Sequence, residues 1–173
     1  MKKFFLLLLM AVAFCGSADA QKGMKGVGMN INGSVTDEIL NIGASAKFQY
    51  NVNNYVRAEA SAAYYLHGEV NDCGFELAIM ANAHFFVMSP KRIRPYFITG
   101  IGYASVREED KSSYPYKYAQ GGGMAANVGV GLDWRITTFL SLQAECSCIS
   151  LLHDDVDTET SGIAFGIGTC FNF

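Results

Sequence analysis

The sequence is poor in proline, with 3, and in charge, with 17% of its residues Asp, Glu, Lys or Arg. Few prolines leave long runs of backbone free to join a hydrogen-bonded ladder. A formal net charge of −3 argues against a nucleic-acid partner, which needs a basic surface. No apolar run reaches the about 20 residues of a membrane-spanning helix. The longest, residues 4–14, follows Met1-Lys2-Lys3 and gives way to small and polar residues ending in Ala18-Asp19-Ala20. That order predicts a secretory signal peptide over 1–20 with an A-x-A cleavage site, and a mature domain over 21–173. Bulky Phe14 stands where a lipobox before Cys15 requires a small residue. If the mature chain enters a membrane, it must do so as strands.

Cysteine is present without an evident framework. Cys73, Cys146, Cys148 and Cys170 remain after cleavage, an even count that in an exported chain invites disulfides. Cys146 and Cys148, however, share one face of one strand and point the same way, which opposes a bridge. Cys146-Ser147-Cys148 has no His or further Cys at ligand spacing, so no metal site is expected there. The cysteines are read as small apolar side chains on a lipid face, and the sequence predicts no metal and no cofactor.

What is there is alternation. Ile42, Ala44, Ala46, Phe48 and Tyr50 oppose Gly43, Ser45, Lys47 and Gln49, and Val56, Ala58, Ala60, Ala62, Tyr64 and Leu66 oppose Arg57, Glu59, Ser61, Ala63 and Tyr65. Side chains alternate across a strand, so one face is apolar and the other polar. Eight such segments are predicted: 26–33, 42–50, 55–66, 74–87, 94–106, 121–136, 139–148 and 162–173. Apolar faces outward, polar faces inward and turn signals between them predict an all-β fold, an eight-stranded antiparallel up-and-down transmembrane β-barrel. The connections alternate in length: 51–54, 88–93 and 137–138 are short, whereas 34–41, 67–73, 107–120 and 149–161 are longer. Short periplasmic turns and longer external loops are the pattern of outer-membrane barrels. Tyr50, Tyr55, Phe85, Phe86, Tyr96, Phe97, Trp134, Phe139, Phe171 and Phe173 gather at the periplasmic ends. Tyr64, Tyr65, Phe75 and Tyr103 gather at the other, so two interfacial girdles are predicted.

With Arg57 taken as inward, the interior receives Asn30, Lys47, Gln49, Glu59, Glu76, Asn82, His84, Asn127, Asp133, Arg135, Gln143 and Glu145. Eight strands leave a lumen that side chains can fill, and near-balanced charges there should pair, since an unpaired buried charge costs several kcal/mol. The expectation is a polar, salt-bridged core without a wide pore. Gly129, Gly131, Gly166 and Gly168 are read as making room for long Arg and Glu side chains. Gly100-Ile101-Gly102 and Gly121-Gly122-Gly123 open no helix and so are not phosphate loops.

The carboxyl terminus alternates Phe165, Ile167, Thr169, Phe171 and Phe173 outward and ends on an aromatic. With the eight alternating strands, this resembles the small eight-stranded outer-membrane β-barrel family, of the OmpA-transmembrane-domain and OmpX type, often described as porin-like. The resemblance spans the mature chain. It implies a Gram-negative outer membrane, contact with lipid and lipopolysaccharide, and insertion by the barrel-assembly machinery reading Phe165, Phe171 and Phe173. It further implies a monomer with a role in envelope integrity, surface adhesion or immune evasion, and no catalytic residues. A narrow porin-like channel is the alternative.

Some barrels of this kind modify lipids. Ser147, Ser150, His153, Asp154 and Asp155 contain nucleophile, base and acid types, but in an order unlike the His-x-Ser arrangement associated with lipid A deacylases, so no enzyme is expected. His84, beside Asn82 on a polar face, is read as a satisfied core residue rather than a gate. Asp154, Asp155, Asp157 and Glu159 lack the glycine and spacing of a calcium loop. The stretch 107–118, with Tyr114, Tyr116, Lys117 and Tyr118, is the candidate for contact with a host or extracellular ligand, because tyrosines among charges give broad amphipathic contact area.

Overall fold

In the computed structural model, residues 22–36, 39–66, 74–88, 92–110, 117–152 and 161–173 are described. They form eight strands: β1 (Lys25–Thr36), β2 (Ile39–Asn51), β3 (Val56–Leu66), β4 (Gly74–Phe86), β5 (Ile93–Asp110), β6 (Lys117–Arg135), β7 (Leu140–Leu151) and β8 (Ser161–Asn172). Each pairs antiparallel with its chain neighbour, and β8 returns to β1, closing the sheet in chain order. Beyond that ladder, the backbones of Lys25 and Phe173 exchange N–H···O bonds of 3.0 and 2.8 Å. Closure leaves no unpaired edge, the condition for strands to stand in hydrocarbon.

Local chemistry explains the short turns. Asn53 Oδ1 accepts from the backbone N–H groups of Tyr55 (2.7 Å) and Val56 (2.8 Å), folding β2 back into β3. Thr137 Oγ1 accepts from Phe139 (3.3 Å) and Leu140 (3.0 Å) between β6 and β7. Both are side-chain mimics of a backbone turn.

The alternation read in the sequence is the inside–outside alternation of the barrel. Met29, Ile31 and Ile167 are about 70% exposed, at 70%, 73% and 68%, whereas Lys47, Arg57 and Asp133 are buried. An apolar outer wall around a charged interior inverts the plan of a water-soluble protein and suits a lipid surround. Phe165 lies over Gly33 on that outer wall, and Tyr103 over Gly122, the rings covering backbone that has no side chain of its own.

Two features depart from the sequence reading. The stretches 34–41 and 107–120, read as loops, are largely strand: β1 and β2 approach to 37–38, and β5 pairs with β6 as far as Asp110 opposite Lys117. Lys117 and Tyr118 thus belong to β6, while Tyr114 and Tyr116 lie outside the described residues. Ladder pairing needs no apolar face, so strands continue past the point where hydrophobic alternation stops. Spans of about 9–11 residues cross the hydrocarbon, so β5 with 18 residues and β6 with 19 project beyond it. The second departure is at the aromatic belt. Phe86, Tyr96 and Tyr65 are buried in the lumen, because neighbours in a strand face opposite ways and only Phe85, Phe97 and Tyr64 of those pairs point outward. The side chain of Phe75 and residues 1–20, with Cys15, lie outside what is described.

Candidate functional site

The lumen is filled in layers. At the short-turn end, the Asp133 carboxylate on β6 receives Arg57 of β3 at 3.2 Å, Arg94 of β5, and Gln143 Nε2 of β7 at 3.2 Å. Arg57 Nε also donates to Asn51 Oδ1 at 3.0 Å. Both guanidinium groups lie over the Phe86 ring, 4.8 and 4.2 Å from its centroid, so an inward aromatic supplies a face for two like charges. These arginines and Asp133 are almost wholly buried.

One step further up, Gln49 and Gln143 meet amide to amide at 3.0 and 3.1 Å. Gln49 Nε2 donates to Glu59 Oε2 at 2.7 Å, and the Cys170 thiol donates to Gln49 Oε1 at 3.2 Å. Cys170 therefore faces inward, correcting the lipid-face reading, which holds for the exposed Cys146 and Cys148. The parity that turns Thr169, Phe171 and Phe173 outward already requires this. Cys73 lies outside the described residues.

Above this sit Lys47, Glu59, His84 and Glu145. Lys47 Nζ lies 2.9 Å from Glu145 and 3.8 Å from Glu59. Tyr96 donates its hydroxyl to Glu145 Oε1 at 2.6 Å, Asn30 donates to Glu145 Oε2 at 3.3 Å, and Asn82 donates to Glu59 Oε1 at 3.0 Å. His84 stacks on Tyr96 with centroids 4.7 Å apart, its Nε2 3.6 Å from Glu59. Toward the long-strand end an apolar layer follows, including Tyr65, Met80, Ala104, Ala125 and Ile149. A cavity of about 70 Å³ reaches from these residues down to Lys47, Glu59 and Glu145.

Six of the interior residues expected from sequence, Lys47, Arg57, Glu59, His84, Asp133 and Glu145, are thus brought into one set of contacts. Arg135 is half-buried near the turn end, and half-buried Glu76 stands in a β4 bulge opposite β5. Arg94, Asn51, Phe86 and Tyr96 were not foreseen inside. The signal was available, since β5 parity places Arg94, Tyr96 and Ile98 on one face. The glycines make room for other groups than expected: a side chain at Gly131 would strike the Tyr96 ring, and at Gly166 and Gly168 the Asn32 and Asn30 amides. Phe165, Phe171 and Phe173 point outward. Ser147 lines the cavity, whereas His153, Asp154, Asp155, Asp157 and Glu159 lie outside the described residues.

No protein-family model and no curated protein sequence matches the chain. Among solved structures it is similar to Neisserial surface protein A, at 12% identity and a TM-score of 0.66 over 87% of this chain and 96% of that one. It is also similar to the N-terminal β-barrel domain of Pseudomonas aeruginosa OprF, at 21% identity and 0.59 over 88% and 100%. A third similarity is to Ail, the attachment invasion locus protein of Yersinia pestis, at 16% identity and 0.56 over 88% and 99%. With an apolar outer wall, a closed eight-strand ladder and a polar lumen, the chain has the fold of the small eight-stranded outer-membrane β-barrels.

Proposed function

We propose that the protein is an outer-membrane barrel with a sealed lumen, which acts through its stability in the envelope and its outer surface rather than by conducting solutes or by chemistry. The observation that carries this reading is the Arg57–Asp133–Arg94 layer with its Phe86 floor and the Gln49–Gln143 bridge above it. These side chains come from different walls of the barrel and meet across it. A hydrated path would require separating buried ion pairs, and leaving one partner of such a pair uncompensated costs several kcal/mol. The upper cavity ends on the Lys47–Glu145 pair, so it is a recess and not a channel.

The predicted 1–20 leader and the fold support an exported, outer-membrane location, and on this reading lipid and lipopolysaccharide surround the wall and the barrel-assembly machinery is the partner during insertion. The projecting β5–β6 hairpin is the part best placed for an external ligand, since it extends past the lipid-facing belt. The similar Ail is by name an attachment protein, which is consistent with contact at that end. Liposomes containing the refolded protein are expected not to swell in isotonic arabinose. Swelling above that of protein-free liposomes would favour the narrow channel.

A further inference from the structure

Glu59 on β3, His84 on β4 and Glu145 on β7 each offer one ligand-type atom, all within 4.8 Å of one another inside the barrel. We propose that this trio is a binding site for a divalent transition-metal ion of the zinc class, in which Lys47 serves as the tethered cation when no metal is bound.

The independent sign is His84. It is fully buried, and among the described residues neither ring nitrogen has a hydrogen-bond partner within 3.5 Å. Nε2 faces Glu59 Oε2 at 3.6 Å, within ion-pair range of the carboxylate but just outside hydrogen-bonding distance. An unsatisfied buried imidazole is costly, and a coordinate bond through Nε2 would satisfy the nitrogen that faces the carboxylates, leaving Nδ1 as it is. Its stacking on Tyr96 fixes the ring plane. The carboxylates are likewise held from behind, Glu59 by Asn82 and Gln49 and Glu145 by Asn30 and Tyr96. Such outer partners are what orient ligands around a metal.

Charge points the same way. Two carboxylates balance one divalent ion, and the space between them already attracts a cation, as Lys47 Nζ shows by touching Glu145 at 2.9 Å and approaching Glu59 at 3.8 Å. The adjoining cavity, lined by Lys47 and both carboxylates, gives the displaced ammonium room to withdraw. Ligands about 2.0–2.2 Å from zinc sit about 3.4 Å apart, so the trio closes by small side-chain rotations. One imidazole with two carboxylates suits zinc and its neighbours, whereas calcium and magnesium take oxygen ligands alone. Arg57 and Arg94 nearby carry two positive charges against one on Asp133, which counts against any cation here, so the ion must be one with high affinity for imidazole. The three donors stand on three strands, so no spacing along the sequence displays them. The inference does not depend on whether the lumen conducts.

The test uses the refolded protein with every cysteine replaced by serine, so that thiols cannot bind metal. Co²⁺ is titrated by its visible absorption band and Zn²⁺ by calorimetry. One ion per chain is expected, with affinity at least about tenfold weaker in His84→Gln and Glu145→Gln, the scale of losses at metal sites. Lys47→Met is expected to bind at least tenfold tighter, because the competing ammonium is gone. Each variant is first checked for the heat-induced gel shift of a folded barrel, and if His84→Gln does not fold, Glu145→Gln decides. No saturable binding, binding seen only in Lys47→Met, or binding indifferent to both ligand substitutions would overturn the proposal.

Discussion

Asp133 serves two arginines at once, so its loss strands two buried cations. Asp133→Asn keeps the shape but leaves Arg57 and Arg94 facing each other without their carboxylate. Removing one partner of a buried pair costs about 3–5 kcal/mol. The variant is expected to lose its heat-resistant gel mobility at a markedly lower temperature than the parent. Glycine gives a finer contrast on the same strand. A methyl at Gly131 would meet the Tyr96 ring, whereas one at Gly121 meets nothing within 4 Å among the described residues. Gly131→Ala is thus expected to destabilise by about 1–3 kcal/mol, the cost of overpacking, and Gly121→Ala to leave urea unfolding in detergent unchanged. At this scale the sequence was informative wherever parity could be counted from a charge, as from Arg57 to Glu59 or from Asp133 to Arg135. It misled where aromatics were sorted by position along the strand alone, as with Phe86 and Tyr96.

The eight elements were legible because lipid enforces the alternation residue by residue. Their ends were not, because beyond the hydrocarbon a ladder persists without an apolar face, as at Glu109 opposite Tyr118 and Asp110 opposite Lys117. The face assignments can be checked chemically. In the folded barrel, site-resolved mass spectrometry after treatment with an apolar maleimide is expected to find Cys146 and Cys148 modified and Cys170 protected, since only the first two are exposed. Modification of Cys170 before denaturation would reverse the face of β8. The outer face of the same strand carries Ile167, 68% exposed. Ile167→Lys places a charge on the lipid wall and is expected to cost about 2–4 kcal/mol if it lies at the bilayer midplane, less toward either interface, read as a lower folding yield in lipid vesicles.

For the molecule as a whole, the sequence disclosed the kind of barrel and the polarity of its interior, because both are repeated in every strand. It did not disclose which polar groups meet. Lys47, Glu59 and His84 stand on the neighbouring strands β2, β3 and β4, and the curling of the sheet into a closed barrel is what sets Glu145 of β7 opposite them. Arg94 of β5 and Asp133 of β6 are partners on adjacent strands, and the same curvature brings Arg57 of β3 to that carboxylate, a meeting that the proposed function takes as a seal. If the proposed seal blocks the lumen, planar-bilayer recordings of the refolded protein, made after the gel shift has confirmed a folded barrel, should show a silent membrane at all applied voltages. Discrete ohmic current steps from the unmodified chain would mean that the lumen is open.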